Sequence, residues 1–447
     1  MNLSQALDEA RRLRVGGRLA EAAARYREII QIDPGHVLAL MGLAEVALDG
    51  GQLEAAVALL KQAIAIRGDF AECWTVLGSA LREGGNLDGA GAAYRRAKDL
   101  DPENPAVYNN LANVLKDRGE LAEAAAAYRK ALALRPDFVD AWLNLGIVLL
   151  LAGDLGQGFL CYEARRELRE LAYLQPRWGG EELGGRRILL HTRQGLGDVI
   201  QFVRYAPMVA GRGGEVVVAC KPELKRLIQS QAGISRVVSD TEGCPPVDLQ
   251  CPLLSLPYVM GTTLQTIPAV VPYLGGTESD RAFWRERLAR EPGGLRVGLN
   301  WAGNLLPRRN RKRTFDGAAM GPLAKVGGVR FYSLQRGPDG QMPPPGFQLV
   351  DWTGELKDLA DTAALISNLD LVITCDTSVA HLAGALGGPV WVGLPFAPDW
   401  RWLLGRSDSP WYPTMRLFRQ QSAGDWKGVF EAMAGELARV SGRQTAT

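Results

Sequence analysis

Two acidic residues beside short, glycine-rich or hydroxyl-rich turns are the first candidates for chemistry. Asp198 closes the segment Gly195-Leu-Gly-Asp198, and Asp376 opens the segment Asp376-Thr-Ser-Val-Ala-His381. A carboxylate at such a turn can accept a proton from a substrate hydroxyl. The free backbone N–H groups at the start of a helix can bind an anion, so the same turns could hold a phosphate.

Asp198 is the leading candidate for a general base, because a helix start after a strand would turn its carboxylate toward a cleft. Asp is also favoured at helix N-caps, so a structural role for Asp198 stays open. His191, near the end of the preceding apolar run, is a second candidate base, although a lone histidine is more often structural. The chain holds only three His, which argues against a His-based zinc enzyme, and we expect no metal site.

Two groups of residues are candidates for binding phosphate charge. The N–H groups and hydroxyls of Thr377 and Ser378 would lie at a helix start, whereas Asp376 would fix the turn or bind a sugar hydroxyl. His381, five residues beyond Asp376, could donate to phosphate or pack inside the domain. The basic cluster 308–313 follows another predicted strand, and its alternatives are a solvated charge run or, more weakly, a nucleic-acid site.

Further candidates lie in loops beside these positions. Asn304 and Gln335 follow or end predicted strands, and we expect them in the same donor pocket. The aromatic-rich segments Asp399-Trp-Arg-Trp402 and Trp411-Tyr-Pro could stack on a base or sugar, and core packing is equally compatible with them. Cys251-Pro predicts a loop.

The elements that must position these residues alternate from about residue 180 onward. Short apolar runs predict strands and apolar-periodic segments predict helices, which together indicate parallel doubly wound sheets. Predicted strands cover 187–192, 215–220, 295–301, 328–335, 369–374 and 389–393. A linker helix over 279–290 and the following Glu291-Pro-Gly-Gly separate a domain at 180–290 from one at 293–447. Ligands bind at the carboxyl ends of strands in such sheets.

The first part of the chain repeats every 34 residues. One column of this period is occupied entirely by glycine: Gly17, Gly51, Gly85, Gly119 and Gly153. The period and residue pattern resemble the tetratricopeptide repeat over residues 1–172, which implies stacked helix pairs and a groove for a protein or peptide. Asn110 and Asn144 are similar in position to the asparagine ladder of O-linked N-acetylglucosamine transferases. The earlier equivalents are Gly42 and Val76, so the ladder is half present, and a solvated polar face is the alternative.

The two acidic motifs together resemble glycosyltransferase family 9, the ADP-heptose heptosyltransferases. Segment 376–390 is similar to that family's hallmark, Gly195-Leu-Gly-Asp198-Val to its N-terminal motif, and the likeness covers roughly residues 185–440. It implies a GT-B module of two Rossmann-like domains after an all-α repeat solenoid. With the repeats in front, the chain resembles bacterial tetratricopeptide-repeat proteins carrying such a transferase domain, some of them similar to flagellin glycosyltransferases.

The resemblance assigns roles to residues. Asp198 matches the proposed base, and a His in a comparable region of the related N-acetylglucosamine transferases gives His191 some support. A Lys of the family reaches the phosphates, and Lys312 or Arg313 is the best match. Asp376 and Thr377 match the pair at the nucleotide sugar, and His381 belongs to the same motif. Gly195 and Gly197 would lie on the acceptor side.

Composition sets the remaining expectations. The 447 residues carry a net charge of +2, with 51 Lys+Arg against 49 Asp+Glu, which argues against general nucleic-acid binding. We expect a cytoplasmic protein, without a membrane span or export signal, that needs no cofactor besides a nucleotide-sugar substrate. The favoured function is inverting, metal-independent sugar transfer to a protein, possibly flagellin. The alternatives are a heptosyltransferase acting on a lipid saccharide and a non-catalytic scaffold with a degenerate transferase domain.

Overall fold

The computed structural model describes residues 2–164, 175–192, 195–239, 242–303, 313–336 and 343–444. The chain divides into two compact units, Met1–Leu149 and Leu150–Thr447. No helix in these ranges is both long and apolar enough to cross a membrane.

The first part of the chain consists of helix pairs whose boundaries advance by 34 residues, as the sequence predicts, and its tenth helix lies within the second unit. The first helices of the pairs are α1 Leu3–Val15, α3 Val37–Asp49, α5 Ala71–Glu83, α7 Pro105–Asp117 and α9 Val139–Ala152. The second helices are α2 Leu19–Ile32, α4 Leu53–Ile66, α6 Leu87–Leu100, α8 Leu121–Leu134 and α10 Leu155–Tyr162. Successive first helices touch one another, α1 with α3 and α3 with α5. The predicted all-α repeat solenoid is therefore confirmed.

The glycine column makes the turn inside each pair. Its members have positive φ angles, from 74° at Gly17 to 92° at Gly153, a conformation that costs an L side chain energy. A second small residue lets the helices approach closely. A Cβ atom on Gly42 would lie 2.3 Å from the Tyr26 ring, so the buried Tyr26 packs directly on the α3 backbone.

The second unit contains two fully parallel sheets. The first has strands β1 Arg187–His191, β2 Glu215–Cys220, β3 Arg236–Ser239 and β4 Leu249–Pro252, in the order β3-β2-β1-β4. The second has β5 Leu295–Asn300, β6 Val329–Ser333, β7 Leu349–Val350, β8 Leu371–Cys375, β9 Val390–Leu394 and β10 Met415–Arg419, in the order β10-β9-β8-β5-β6-β7. Counted from its own first strand, the second sheet has the 3-2-1-4-5-6 order of a doubly wound dinucleotide-binding sheet.

Helices and short 3₁₀ turns connect the strands. After β1 come α11 Leu196–Phe202, a turn at Val203–Tyr205 and α12 Ala206–Ala210, and α13 Pro222–Ile228 follows β2. A turn at Leu253–Ser255, α14 Leu256–Val259 and α15 Glu278–Ala289 lead to the second sheet. That sheet has α16 Gly321–Ala324, a turn at Thr353–Glu355, α17 Leu359–Ile366, α18 Ser378–Ala385, a turn at Trp400–Trp402 and α19 Trp426–Gln444.

Two features of the second unit differ from the sequence predictions. Its boundary falls at Leu150, earlier than residue 172, because α10 packs inside it: the Phe159 and Trp400 ring centroids are 5.5 Å apart. The loop predicted at Cys251-Pro is wrong, since Cys251 lies in β4 and pairs with Leu190 of β1. Proline is tolerated there because β4 is an edge strand of its sheet.

Candidate active site

Each sheet has a point where the chain leaves neighbouring strands in opposite directions. In the second sheet this point lies between β5 and β8, and in the first between β1 and β4. Loops diverge at such points and leave a crevice at the carboxyl ends of the strands. Asp376 follows β8, and the Gly195–Asp198 segment follows β1, so both predicted motifs occupy crevice positions.

The structure brings these two motifs together through α11 and α18. Gly197 lies against the ring of His381, and a Cβ atom added to it would be 2.8 Å from His381 Cδ2 and 3.6 Å from Ser378 Cα. Only glycine allows this approach without displacing the ring. Residues far apart in the chain thus form one site.

Asp198 is held at both carboxylate oxygens. Its Oδ2 accepts a hydrogen bond of 3.0 Å from the Gly195 backbone N–H, at the N-cap of α11. Its Oδ1 accepts one from Arg401 Nη2. Burial raises the pKa of the Asp198 carboxyl, and the Arg401 guanidinium opposes that rise. The side chain remains 19% exposed, so Asp198 holds the start of the helix and is still partly accessible.

Arg401 is the main residue that sequence reasoning missed. It follows β9, and its guanidinium also binds Asp399 Oδ1 at 2.7 Å and Gln201 Oε1 at 2.7 Å. Burial acts to raise the pKa of Asp399, but the charge of Arg401, the hydrogen bonds that it donates and the charge of Arg313 together lower that pKa. The sequence pattern of segment 399–402 predicts roles only for its two Trp residues, both of which are buried in the core.

Asp376 forms a second carboxylate–guanidinium pair. Its Oδ2 lies 3.3 Å from Arg313 Nη1, and its side chain is 4% exposed. Burial, with a smaller contribution from the negative charge of Asp399, raises the pKa of Asp376. Of the predicted phosphate ligands, Arg313 is therefore at the site, whereas Lys312 and Asn304 lie outside the described residues.

Thr377 and Gln335 belong to a hydrogen-bond network around the buried Asn300, the last residue of β5. Asn300 Oδ1 accepts from the Thr377 hydroxyl at 2.7 Å, and Asn300 Nδ2 donates to Gln335 Oε1 at 2.8 Å. Gln335 Oε1 also accepts from the N–H groups of Trp301 and Ala302. Gln335 thus holds the loop that leaves β5. Thr377 also accepts a hydrogen bond from the Val379 N–H as the N-cap of α18.

Both candidate histidines are buried and neutral. His381 stacks on Trp402 and its Nδ1 lies 2.9 Å from the Tyr412 hydroxyl. Burial, reinforced by the nearby Arg401 charge, lowers the pKa of His381 to about 3. His191 Nε2 lies 2.9 Å from Gln250 Oε1, and burial lowers its pKa to about 4. Neither ring carries a charge at neutral pH.

In the first unit, the two predicted ladder residues are joined through a third asparagine. Asn144 Nδ2 donates to Asn109 Oδ1 at 3.2 Å, and Asn109 Nδ2 donates to Asn110 Oδ1 at 3.4 Å. Asn109, which the sequence analysis did not select, is buried. These contacts orient Asn110 and Asn144.

The site as a whole combines acid–base and anion-binding groups. The described residues supply three carboxyl groups, Asp198, Asp376 and Asp399, and two guanidinium groups, Arg313 and Arg401. Such a set can accept a proton on a carboxylate and stabilise negative charge on a bound group. Among the described residues, no three His, Cys, Asp or Glu are grouped so as to hold a metal ion.

Comparison with known families identifies the repeats. A family described as "Tetratricopeptide repeat" matches residues 16–80, and one described as "TPR repeat" matches 78–117 and 112–153. The helix pairs of the first unit are therefore tetratricopeptide repeats.

Comparison with individual proteins gives one curated relative and several solved structures. Protein FlbA of Caulobacter vibrioides is 28% identical over 287 residues, covering 58% of this chain and 48% of the relative. This chain thus spans about half the length of the curated relative it matches. That share of this chain exceeds the first unit, so the alignment reaches into the second.

The solved structures resemble the repeats. MamA is 25% identical, with 35% of this chain and 92% of MamA covered and a TM-score of 0.32. YrrB, described as a TPR protein with an unusual peptide-binding site, is 17% identical, with 38% and 93% covered and a TM-score of 0.31.

Proposed function

We propose that this protein is an inverting, metal-independent glycosyltransferase that moves a sugar from a nucleotide sugar to a protein acceptor held by the repeats. The observation that carries the proposal is the contact of α11 with α18. This contact brings together Asp198, which follows β1, and Asp376, which follows β8, and each carboxylate is paired with an arginine. Two parallel sheets that contribute to one site from their carboxyl ends are what the GT-B architecture requires, which supports the proposal.

In this proposal the two carboxylates have different roles. Asp198 accepts the proton of the acceptor hydroxyl, since it is partly exposed and held in a fixed orientation by Gly195 and Arg401. Asp376 is almost fully buried and pairs with Arg313, which suits a group that binds a donor hydroxyl rather than one that takes up the acceptor proton. Negative charge on the leaving group is stabilised by Arg313 and by the N–H groups at the start of α18.

The acceptor is a protein in this proposal because the first unit consists of tetratricopeptide repeats. Stacked repeats present an extended surface on which a peptide or a folded partner can bind. The resemblance to flagellin glycosyltransferases makes flagellin the first acceptor to test. A cytoplasmic location, where nucleotide sugars are made, is part of the same proposal.

The test is transfer by the full chain and by Asp198→Asn, with flagellin and a delipidated core saccharide as separate acceptors. Each nucleotide sugar is supplied in turn, and product is followed by intact mass. We expect transfer to the protein acceptor, lost in Asp198→Asn while the nucleotide sugar still raises the melting temperature. Turnover by Asp198→Asn equal to that of the unaltered chain would exclude Asp198 as the base. Transfer to the saccharide alone would favour a heptosyltransferase that acts on a lipid saccharide.

A second candidate function, a non-catalytic scaffold, is supported by one specific contact. Both oxygens of Asp198 already accept hydrogen bonds within the protein, as they would in a residue that serves only structure. This candidate predicts partner binding by the repeats without transfer or hydrolysis of any nucleotide sugar.

A further inference from the structure

We propose that Arg401 is the positioning residue of Asp198, and that α10, the last repeat helix among the described residues, supports Arg401 through Trp400. The inference rests on the proposed function, because it treats Asp198 as the base. It makes the end of the repeat array a structural part of the transfer site.

Arg401 donates hydrogen bonds to two residues on one face of α11. One terminal nitrogen, Nη2, binds Asp198 Oδ1, and Nε donates to Gln201 Oε1 at 2.7 Å. Asp198 and Gln201 are three residues apart on the helix, so their side chains are neighbours. The remaining terminal nitrogen, Nη1, donates to Asp399 Oδ1 at 2.7 Å. With all three nitrogens engaged, the guanidinium plane has one orientation, and it fixes the Asp198 carboxylate in turn.

The indole ring of Trp400 packs against the guanidinium of Arg401. The Arg401 Cζ atom lies 4.4 Å from the centroid of the Trp400 ring, within the range of a cation–π contact. Arg401 is 10% exposed at its side chain, and desolvation strengthens that contact. The position of the guanidinium therefore depends on the position of the indole ring.

The ring of Trp400 also contacts α10. Phe159 meets it edge-on, with centroids 5.5 Å apart and planes at 90°, and Tyr162 does so at 5.8 Å and 62°. Both aromatic residues come from the second helix of the fifth pair, which belongs to the second unit. A continuous series of packed groups thus runs from α10 through Trp400 and Arg401 to Asp198.

Removing Arg401 would have a particular effect on the titration of Asp198. The charged groups near the Asp198 carboxyl are Arg401, Asp399 and Arg313. Arg401 is the one in direct contact, and it opposes the pKa rise that burial causes. Without it, Asp399 adds negative charge near a buried carboxyl, so Asp198 would require a higher pH to ionise.

The first experiment measures kcat/KM for sugar transfer against pH in Arg401→Gln and Arg401→Lys. Arg406→Gln is the control, because Arg406 forms an ion pair with the exposed Asp408 rather than with Asp198. We expect the acidic limb of the kcat/KM profile to move to higher pH by about one to three pH units in Arg401→Gln. The limb should move by less in Arg401→Lys and not at all in the control. A uniform fall in rate with an unmoved limb would overturn the positioning role.

The second experiment tests the support from α10 with neighbouring substitutions. Phe159→Leu weakens the contact with Trp400, whereas Leu160→Ala removes a side chain that is 46% exposed on the same helix. We expect kcat to fall about tenfold in Phe159→Leu, with KM for the nucleotide sugar unchanged, because a displaced base costs rate rather than binding. Equal kinetics in the two variants would overturn the link.

A third measurement separates this inference from the proposed function. Thermal unfolding of Asp198→Asn, Arg401→Gln and the double variant requires no transfer activity. We expect non-additive losses, because residues in contact are energetically coupled. Additive losses would overturn the pairing itself, whereas coupled losses in a chain that transfers no sugar would overturn only the proposed function.

Discussion

Replacing Gly197 by alanine tests directly whether the two acidic motifs meet. The added Cβ atom would lie 2.8 Å from His381 Cδ2 and 3.5 Å from His381 Nε2. Carbon atoms in favourable contact are about 3.5–4.0 Å apart. The new methyl group would therefore overlap the imidazole ring by much of an ångström.

The ring cannot easily move away. Its Nδ1 is 2.9 Å from the Tyr412 hydroxyl, and it stacks on the buried Trp402 with an interplanar angle of 19°. Overpacking of this kind costs about 1–3 kcal/mol. The higher helix propensity of alanine returns at most about 1 kcal/mol. We therefore expect a net loss of stability in the second unit.

Gly156→Ala is the matched control. Gly156 is the second residue of α10, as Gly197 is of α11, and an added Cβ atom there would meet nothing within 4 Å. It receives the same gain in helix propensity without the clash. The difference between the two variants therefore isolates the contact with His381.

Tryptophan fluorescence is the appropriate assay, because nine of the eleven Trp residues lie beyond residue 175 and report on the second unit. We expect Gly197→Ala to melt roughly 2–5 °C below Gly156→Ala, taking about 1.6 °C per kcal/mol for a unit of this size. Equal melting temperatures would refute the reasoning, because α11 and α18 could not then be packed as described.

Two further predictions concern pH and the repeats. Stability of the second unit should fall as pH drops below about 6.5, because unfolded histidines bind protons that buried His381 and His191, with pKa values of about 3 and about 4, do not. His381→Asn should reduce the slope of stability against pH by up to about 1.4 kcal/mol per pH unit, measured by fluorescence melts; an unchanged slope would contradict the buried, neutral ring. Gly119→Ala should cost the first unit about 1–2 kcal/mol, since Gly119 has a φ of 81°. Far-UV circular dichroism melts would measure that loss. An unchanged unfolding transition of the first unit would argue against the left-handed turn at Gly119.

The repeats and the strand positions could be predicted because their signals are local. A 34-residue glycine column marks each turn, and its left-handed φ angles give the reason. Short apolar runs identified strands such as β5 and β8, which are buried along most of their length. Cys251-Pro misled because proline at the end of a strand resembles proline in a loop.

The partners inside the site could not be predicted in the same way. Arg401 contacts Asp198 across 203 residues of sequence, and nothing near either residue signals the other. The two neighbouring Trp residues predicted either stacking on a base or sugar or core packing; both indoles are buried, and neither alternative indicated the buried charge of Arg401 between them. Asn300 was equally inconspicuous at the end of an apolar strand, although its side chain joins Thr377 to Gln335.

The central proposal is that the site around Asp198 and Asp376 binds a nucleotide sugar. Its most direct test is the fluorescence melting temperature of the full chain against a panel of nucleotide sugars, with Arg313→Gln measured beside it. We predict that at least one nucleotide sugar raises the melting temperature, by the equivalent of about 2.7 kcal/mol at a hundredfold excess over its Kd, and that Arg313→Gln diminishes the effect. A panel that leaves the melting temperature unchanged throughout would contradict the account.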